Sequence, residues 1–357
     1  MEAPPPPLTV VLPVRDGGEW LAPAIESIRG QSFTDWELLA IDDGSRDGSR
    51  QVLEGFAARD GRIVVSSRPN RGLAATLQEG IERARSDLVA VMNADDVALP
   101  GRLAAQIAHL AAHPRVAALG TQTRLLVDGR ATDVVSRLPL DPEGCRKLLD
   151  VAPPMAHPTV MFRRSVVLSV GGYRRAVPAE DYDLWLRIAE HHDLANLPDV
   201  HLEYRLHGKQ SGTAHESLAL ATLVVRRCAA ERRAGRPDPL DAPGAAAIDP
   251  GVAAALGIGP AEIARQVRVG AVSRAEQILA ATGSGDRAAR ELDALEGGWT
   301  ASVDPGRFRA ARDWLAGRAL LARGEPFRAS LLLARAIVGD PALGRRLAGA
   351  ALRRSIG

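Results

Sequence analysis

Cysteine is nearly absent: Cys145 and Cys228 are the two in 357 residues, far apart and without a partner pattern. Neither a disulfide framework nor a cysteine-based zinc site is supported, and a reducing compartment is the simpler expectation. An excess of charge is missing as well. Lys and Arg number 45 against 43 Asp and Glu, a formal +2, so composition gives no reason to expect nucleic acid as a partner. No apolar run reaches the roughly 18 uninterrupted residues of a membrane span. The N-terminus carries prolines at positions 4–7 where a secretory signal would carry basic and then apolar residues. These absences lead us to expect a cytoplasmic protein, at most peripheral at the inner face of a membrane. Two further motifs are lacking. No G-x-G-x-x-G follows the first apolar run, which disfavours a dinucleotide-binding oxidoreductase. Residues 10–18 also hold no Gly-rich, lysine-bearing triphosphate loop of the kind a nucleotidyltransferase would use.

What is present is alternation. Short apolar runs at 8–13, 36–41, 62–66, 88–92 and 116–120 have the character of buried strands. Between them, 20–29, 49–59, 73–85 and 100–112 carry apolar residues at helical spacing, the last opened by Pro100. Strands alternating with helices of this length imply right-handed βαβ units, hence an α/β domain with a mainly parallel central sheet. From 121 to about 215 the pattern loosens, with a hairpin expected at Asp128-Gly129, helices near 143–150 and 181–191, and a strand at 159–162. The chain is expected to divide into a disordered terminus at 1–7, a catalytic domain at 8–234, a Pro/Gly-rich linker at 235–250 and a helical region at 251–357. In the last, Gly317, Ala329, Ala336 and Pro341 echo a single tetratricopeptide unit, too few for a solenoid. The Arg-bearing stretch 308–318 permits membrane contact, although a solvated face explains it as well.

Ligands of such sheets bind beyond the carboxyl ends of the strands, so the polar residues after each apolar run carry the functional signal. They are Pro13-Val14-Arg15-Asp16, then Asp42-Asp43-Gly44-Ser45-Arg46-Asp47, then Asn70-Arg71-Gly72, then Asn93-Ala94-Asp95-Asp96. Each has a plain structural reading: adjacent acids before a helix are common caps, Asp and Gly are ordinary turn residues, and surface arginine is abundant in this chain. Each also has a chemical one. Carboxylates suit Mg²⁺ or Mn²⁺ together with substrate phosphates, and an arginine at a helix start suits phosphate. Glu180-Asp181 at a helix start offers a general base or a cap, while His157 and His207 stand alone.

Taken in order, PVRD, DDGS-x-D, NRGLA, NADD, HPTVMFRR, GGY, EDYDLWLRI and YRLH make a pattern that resembles a family 2 glycosyltransferase of the GT-A fold over about residues 8–212. The resemblance implies inverting transfer of a sugar from a UDP-, GDP- or dTDP-linked donor to a hydroxyl of a glycan, lipid-linked or small-molecule acceptor, in cell-surface polysaccharide or other glycan synthesis. It implies a base pocket lined by Pro13, Val14, Arg15 and Asp16, with Asp43 accepting from the base and Arg71 near base or diphosphate. Asn93 to Asp95 fill the DxD motif, and Asp95, Asp96 and His207 become ligands of Mn²⁺ or Mg²⁺. Asp181 matches the catalytic base, with Glu180 beside it, and His157 and Trp185 fall in the sugar and acceptor region. Two departures stand out: Asn93 replaces a charged first ligand, and Arg15 stands where an aromatic is frequent. A nucleotidyltransferase and a non-catalytic nucleotide-sugar-binding scaffold with a helical module are the competing expectations.

Overall fold

The structure, a computed structural model, describes residues 6–174, 177–207, 215–241 and 248–282. It forms two units, residues 1–207 with 224–249 and residues 208–223 with 250–357. The first unit holds the sheet. Strands β1 (Leu8–Val14), β2 (Trp36–Asp42), β3 (Ile63–Ser67) and β4 (Leu88–Val91) lie in the order β3-β2-β1-β4. All are parallel, with Val14 level with Asp42 and Asp42 level with Ser67. Every residue of β1 and β2 is buried, as expected of strands covered on both faces, where hydrophobicity runs continuously rather than alternating.

Helices α1 (Leu21–Arg29), α2 (Ser49–Ala57), α3 (Leu73–Arg83) and α4 (Arg102–Ala112) supply the crossovers and covers. Helix α1 shows why these segments fold as they do. Leu21, Ala24, Ile25 and Ile28 recur at helical spacing and are all buried, with each large side chain contributing roughly 1.5–3 kcal/mol on burial. Gly80 of α3 lets that helix approach β1 closely, since a Cβ there would lie 2.4 Å from a Val11 methyl.

Beyond β4 the sheet becomes mixed. Strand β5 is Val97–Ala98, β6 is Val116–Val127, β7 is Arg130–Val135, β8 is Met161–Arg163 and β9 is Asp193–Leu206. The order continues β4-β8-β6-β9-β5, with β7 on β6. β8 runs antiparallel to β4 and β6, while β9 runs parallel to β6. The expected hairpin is present: Asp128 and Gly129 both have positive φ between β6 and β7, as a two-residue primed turn requires. Helices α5 (Pro142–Leu148), α6 (Arg164–Ser169) and α7 (Glu180–Ile188) follow.

Helix α8 is His215–Arg233. The start of the segment expected as a linker is fastened within the first unit: buried Asp238 accepts from Arg174 Nη2 at 2.9 Å and also pairs with Arg232. In the second unit, α9 (Pro250–Ala255) and α10 (Pro260–Thr282) are helical. The tetratricopeptide-like positions, the 308–318 stretch and most of the 1–7 terminus lie outside the described residues. No described helix is long and apolar enough to cross a membrane.

Candidate active site

Because β1, β2 and β3 end at the same level, the loops that follow them meet. Asp43 N donates to Val14 O at 2.8 Å. Asp16, in the left-handed region at φ +51°, accepts from Arg46 N at 2.7 Å, and its own N–H donates to Ser45 Oγ at 3.0 Å. Gly17 N donates to Ser49 Oγ at 2.9 Å and Gly18 N to Asp47 Oδ2 at 3.0 Å. The first two expected nucleotide segments are thus stitched into one rim. Pro13 and Val14 are buried in it, whereas Arg15 extends into solvent beside Asp16.

Asp43 has a different environment from the one expected. Its carboxylate, 4% exposed, accepts from Asn70 Nδ2 at 2.8 Å, Arg71 N at 2.7 Å and Gly72 N at 2.9 Å, and it pairs with the Arg68 guanidinium. Those donors occupy the oxygens that a base N–H would need. Asp43 thereby shapes the Asn70-Arg71-Gly72 turn and leaves the Arg71 side chain exposed at its tip.

The third cluster follows β4. Val11 is level with Val91, so Asn93 to Asp96 leave the sheet beside the rim. Asp96 is 1% exposed. Its Oδ1 accepts from Arg205 N at 2.9 Å and its Oδ2 from Asn93 Nδ2 at 3.3 Å. Burial, and then the neighbouring Asp95 charge, push its carboxyl well above the usual range. Asp95 is more open. Its Oδ2 lies 2.9 Å from His207 Nε2, and because a carboxylate only accepts, Nε2 carries the proton of that bond. Arg205 Nε donates to Asp95 O at 2.7 Å. The end of β9 and the NADD loop are therefore bonded at three points. Among the described residues no three His, Cys, Asp or Glu side chains are grouped so as to hold a metal ion. Asp95 and His207 converge, while Asp96, expected as a ligand beside them, faces inward as their support. Asp95 fits the donor set of a hard cation that takes substrate phosphates as the remainder, and His207 would join it through a ring nitrogen that carries no proton.

The fourth cluster gathers at the start of α7. His157 sits in a 3-10 turn (His157–Thr159) whose following residue, Val160, accepts through its O from Val91 N at 2.9 Å, tying the turn to the end of β4. His157 Nε2 and the buried Tyr173 hydroxyl share a 2.7 Å hydrogen bond. Burial lowers the His157 pKa. Burial and the Asp181 and Glu180 charges raise the Tyr173 phenol well above its ordinary value, which places both acids beside this pair. Desolvation and the adjacent Asp181 push the Glu180 carboxyl up to about 8. Among the described residues the Asp181 carboxylate accepts one hydrogen bond, from Tyr182 N at 2.7 Å. Trp185 belongs behind this cluster: it is 0% exposed and its ring lies 6.1 Å from that of His157, so a sugar-facing position does not hold for it. Tyr173 is the member that motif reading passed over, since its signal was the GGY triplet alone. Asp183, third in the acidic run, is fully buried and paired with Arg187 and Arg174.

The comparison that decides the family is with the Erwinia amylovora amylovoran biosynthesis glycosyltransferase AmsE, 33% identical over 189 residues, covering 52% of this chain and 71% of AmsE. The family model described as "Glycosyl transferase family 2" matches residues 9–171. The chain belongs to that family. It is a glycosyltransferase, and the nucleotidyltransferase expectation falls. Solved structures agree at the level of fold. Residues 1–349 of Staphylococcus aureus TarS in complex with UDP-GlcNAc have a TM-score of 0.54 at 15% identity, covering 91% of this chain and 90% of that one. The mannosyltransferase PcManGT of Pyrobaculum calidifontis, in complex with GDP-Man and Mn²⁺, has a TM-score of 0.52 at 19% identity, covering 94% and 87%. The GT-A architecture of the transferase thus accounts for its parallel half-sheet with a mixed extension.

Proposed function

We propose that this transferase moves a sugar from a nucleoside-diphosphate donor to an acceptor hydroxyl with inversion, using Asp181 as general base. The observation that carries the reading is the state of the Glu180–Asp181 pair. Burial and the adjacent Asp181 charge push the Glu180 carboxyl up to about 8, so Glu180 favours its protonated form near neutral pH. The Asp181 oxygens are left with lone pairs that no described protein donor fills. A carboxylate so placed can take a proton.

In the reaction, the acceptor oxygen forms its bond to the anomeric carbon from the face opposite the diphosphate as Asp181 removes its proton. The anomeric carbon–oxygen bond breaks, and its electron pair leaves with the diphosphate. The rim formed by residues 13–18 and 42–49 receives the nucleoside, and the Asp43-held turn offers Arg71 to the base or diphosphate. Asp95 and His207 would hold the divalent cation, Mn²⁺ or Mg²⁺. When bound, that ion supplies charge neutralisation for the departing diphosphate. Holding donor and acceptor in line removes much of the entropic barrier. The name of AmsE, an amylovoran biosynthesis enzyme, supports a role in assembling a polysaccharide or related glycan.

Asp181→Asn is the direct test. Nucleotide-sugar binding is expected to persist while transfer falls by about 10²-fold or more. Retained turnover in a nucleotide-release assay would remove Asp181 from the chemistry. Donor identity follows from a thermal-shift screen of UDP-, GDP- and dTDP-sugars with and without Mn²⁺, because a ligand specific for the folded state raises its apparent stability.

A further inference from the structure

We propose that Trp20 is a positioning residue for the diphosphate side of the site, acting through His207. Its indole stacks on the His207 imidazole, ring centroids 4.1 Å apart and planes 29° apart, and the Arg205 guanidinium carbon lies 6.0 Å from the same indole. His207 and Arg205 are the two side chains that join β9 to Asp95. The same indole therefore neighbours both members of that junction.

Ordinary core packing does not account for this placement. Trp20 is only partly buried and stands outside the hydrophobic core cluster. It ends a 3-10 turn (Gly18–Trp20) entered through Gly18 at φ +54°. The turn is pinned from the neighbouring loop: Asp47 Oδ2 accepts from Gly18 N, and Ser49 Oγ accepts from Gly17 N. Hydrogen bonds from the Ser49 side chain and from Ser49 N and Gly18 N hold the exposed Asp47 carboxyl below the usual range, so it stays an acceptor. The route runs Asp47, Gly18, Trp20, His207, Asp95, from the nucleoside rim to the diphosphate side. With one face of His207 against the indole, its Nε2 edge is turned to Asp95. This gives a role to Asp47, the last acid of the DDGS-x-D motif.

The metal part of this inference rests on the proposed role of Asp95 and His207, so the test separates the two. In the full-length chain, Trp20→Leu keeps apolar bulk without a ring face, Trp20→Phe keeps the ring, and His207→Ala removes the imidazole. Two readouts serve: the ¹H–¹⁵N imidazole resonances of His207 in metal-free protein, and Mn²⁺ affinity in the presence of inorganic pyrophosphate, from the electron paramagnetic resonance of free Mn²⁺. Groups that orient a metal ligand commonly contribute 10- to 100-fold to affinity. Trp20→Leu is expected to move the His207 resonances toward those of a free imidazole and to weaken Mn²⁺ about tenfold, with Trp20→Phe restoring both. Unchanged His207 resonances in Trp20→Leu would overturn the proposal, as would wild-type Mn²⁺ affinity in Trp20→Leu when His207→Ala weakens it. If Trp20→Leu moves the resonances but His207→Ala leaves Mn²⁺ affinity intact, the positioning stands and the metal role of His207 is what fails.

Discussion

Removing the Asp43 carboxylate tests whether this residue builds the site or reads the nucleobase. Asp43→Ala deletes the acceptor of four donors: the Arg68 guanidinium, Asn70 Nδ2 and the N–H groups of Arg71 and Gly72. Arg68, with its side chain 10% exposed, keeps Glu79 at 2.6 Å and Thr76 at 2.9 Å, so its charge is not stranded. The two backbone N–H groups are. Leaving a half-buried donor unpaired costs about 1 kcal/mol, the low end of the range for buried groups, and breaking a buried ion pair about 3–5 kcal/mol when nothing else compensates. With Glu79 compensating in part, a loss of roughly 4 kcal/mol is expected. Urea denaturation followed by tryptophan fluorescence should show the midpoint falling by about 1.5 M with the slope unchanged. Asp43→Asn, which keeps one acceptor oxygen, should fall about half as far. A midpoint within about 0.3 M of wild type, together with lost donor binding, would refute the structural role and return Asp43 to direct contact with the base.

Gly44→Ala should be costly for two reasons, its φ of +76° and a Cβ 2.9 Å from Asn70 N. A loss of about 2–4 kcal/mol in urea is expected, with a smaller donor-induced thermal shift because the displaced turn carries Arg71. Glu180→Gln addresses the raised carboxyl. The unfolded state loses that proton near pH 4.5 while the folded state keeps it to about 8. The wild-type contribution is therefore complete below pH 4.5 and is lost as pH rises toward 8. The variant should flatten this decline and gain on the order of 2 kcal/mol at pH 8, since the group is only partly buried; parallel stability–pH curves for the two proteins would reject the assignment.

The parallel half of the sheet was legible because its strands are continuous apolar runs bounded by Pro, Asp and Ser, and because α1 to α4 carry their apolar residues at helical spacing. Strand β9 was not. Its sequence holds Asp193, Asn196, Pro198, Asp199, His201, Glu203 and Arg205, and a central proline demotes a strand in any local reading. Long-range pairing supplies what local pattern cannot. β6 lies along β9, and the register shifts near Thr121 and Gln122 fall opposite Leu197 and Val200, where Pro198 sits. The acids of the site were legible as positions but not as states. Nothing near Asp96 in the chain indicates that Arg205 N would meet its carboxylate. The burial of Trp185 did have a local signal, since Leu184, Trp185 and Ile188 share one helical face and all three are buried.

Those states sort the acids by one criterion: how many lone pairs the protein itself consumes. Asp43 and Asp183 give three or more acceptances to arginine and amide donors. Asp96 gives one from each oxygen in full burial, and Asp47 gives two to N–H groups of the rim. Asp43 and Asp183, so engaged, have little capacity left for a substrate proton or an incoming ion, and burial withdraws Asp96 from both. Among the described residues, Asp95 and Asp181 each accept a single side-chain carboxylate bond, one from an imidazole and one from an adjacent amide. They stand at the ends of different elements, β4 and the start of α7. The inverting transfer proposed above would use that division, with charge stabilised on the leaving side and a proton removed on the attacking side. The engaged acids fix the loops and helix in which they sit. Their substitution should therefore register first in stability, whereas substitution of Asp95 or Asp181 should register first in binding and turnover.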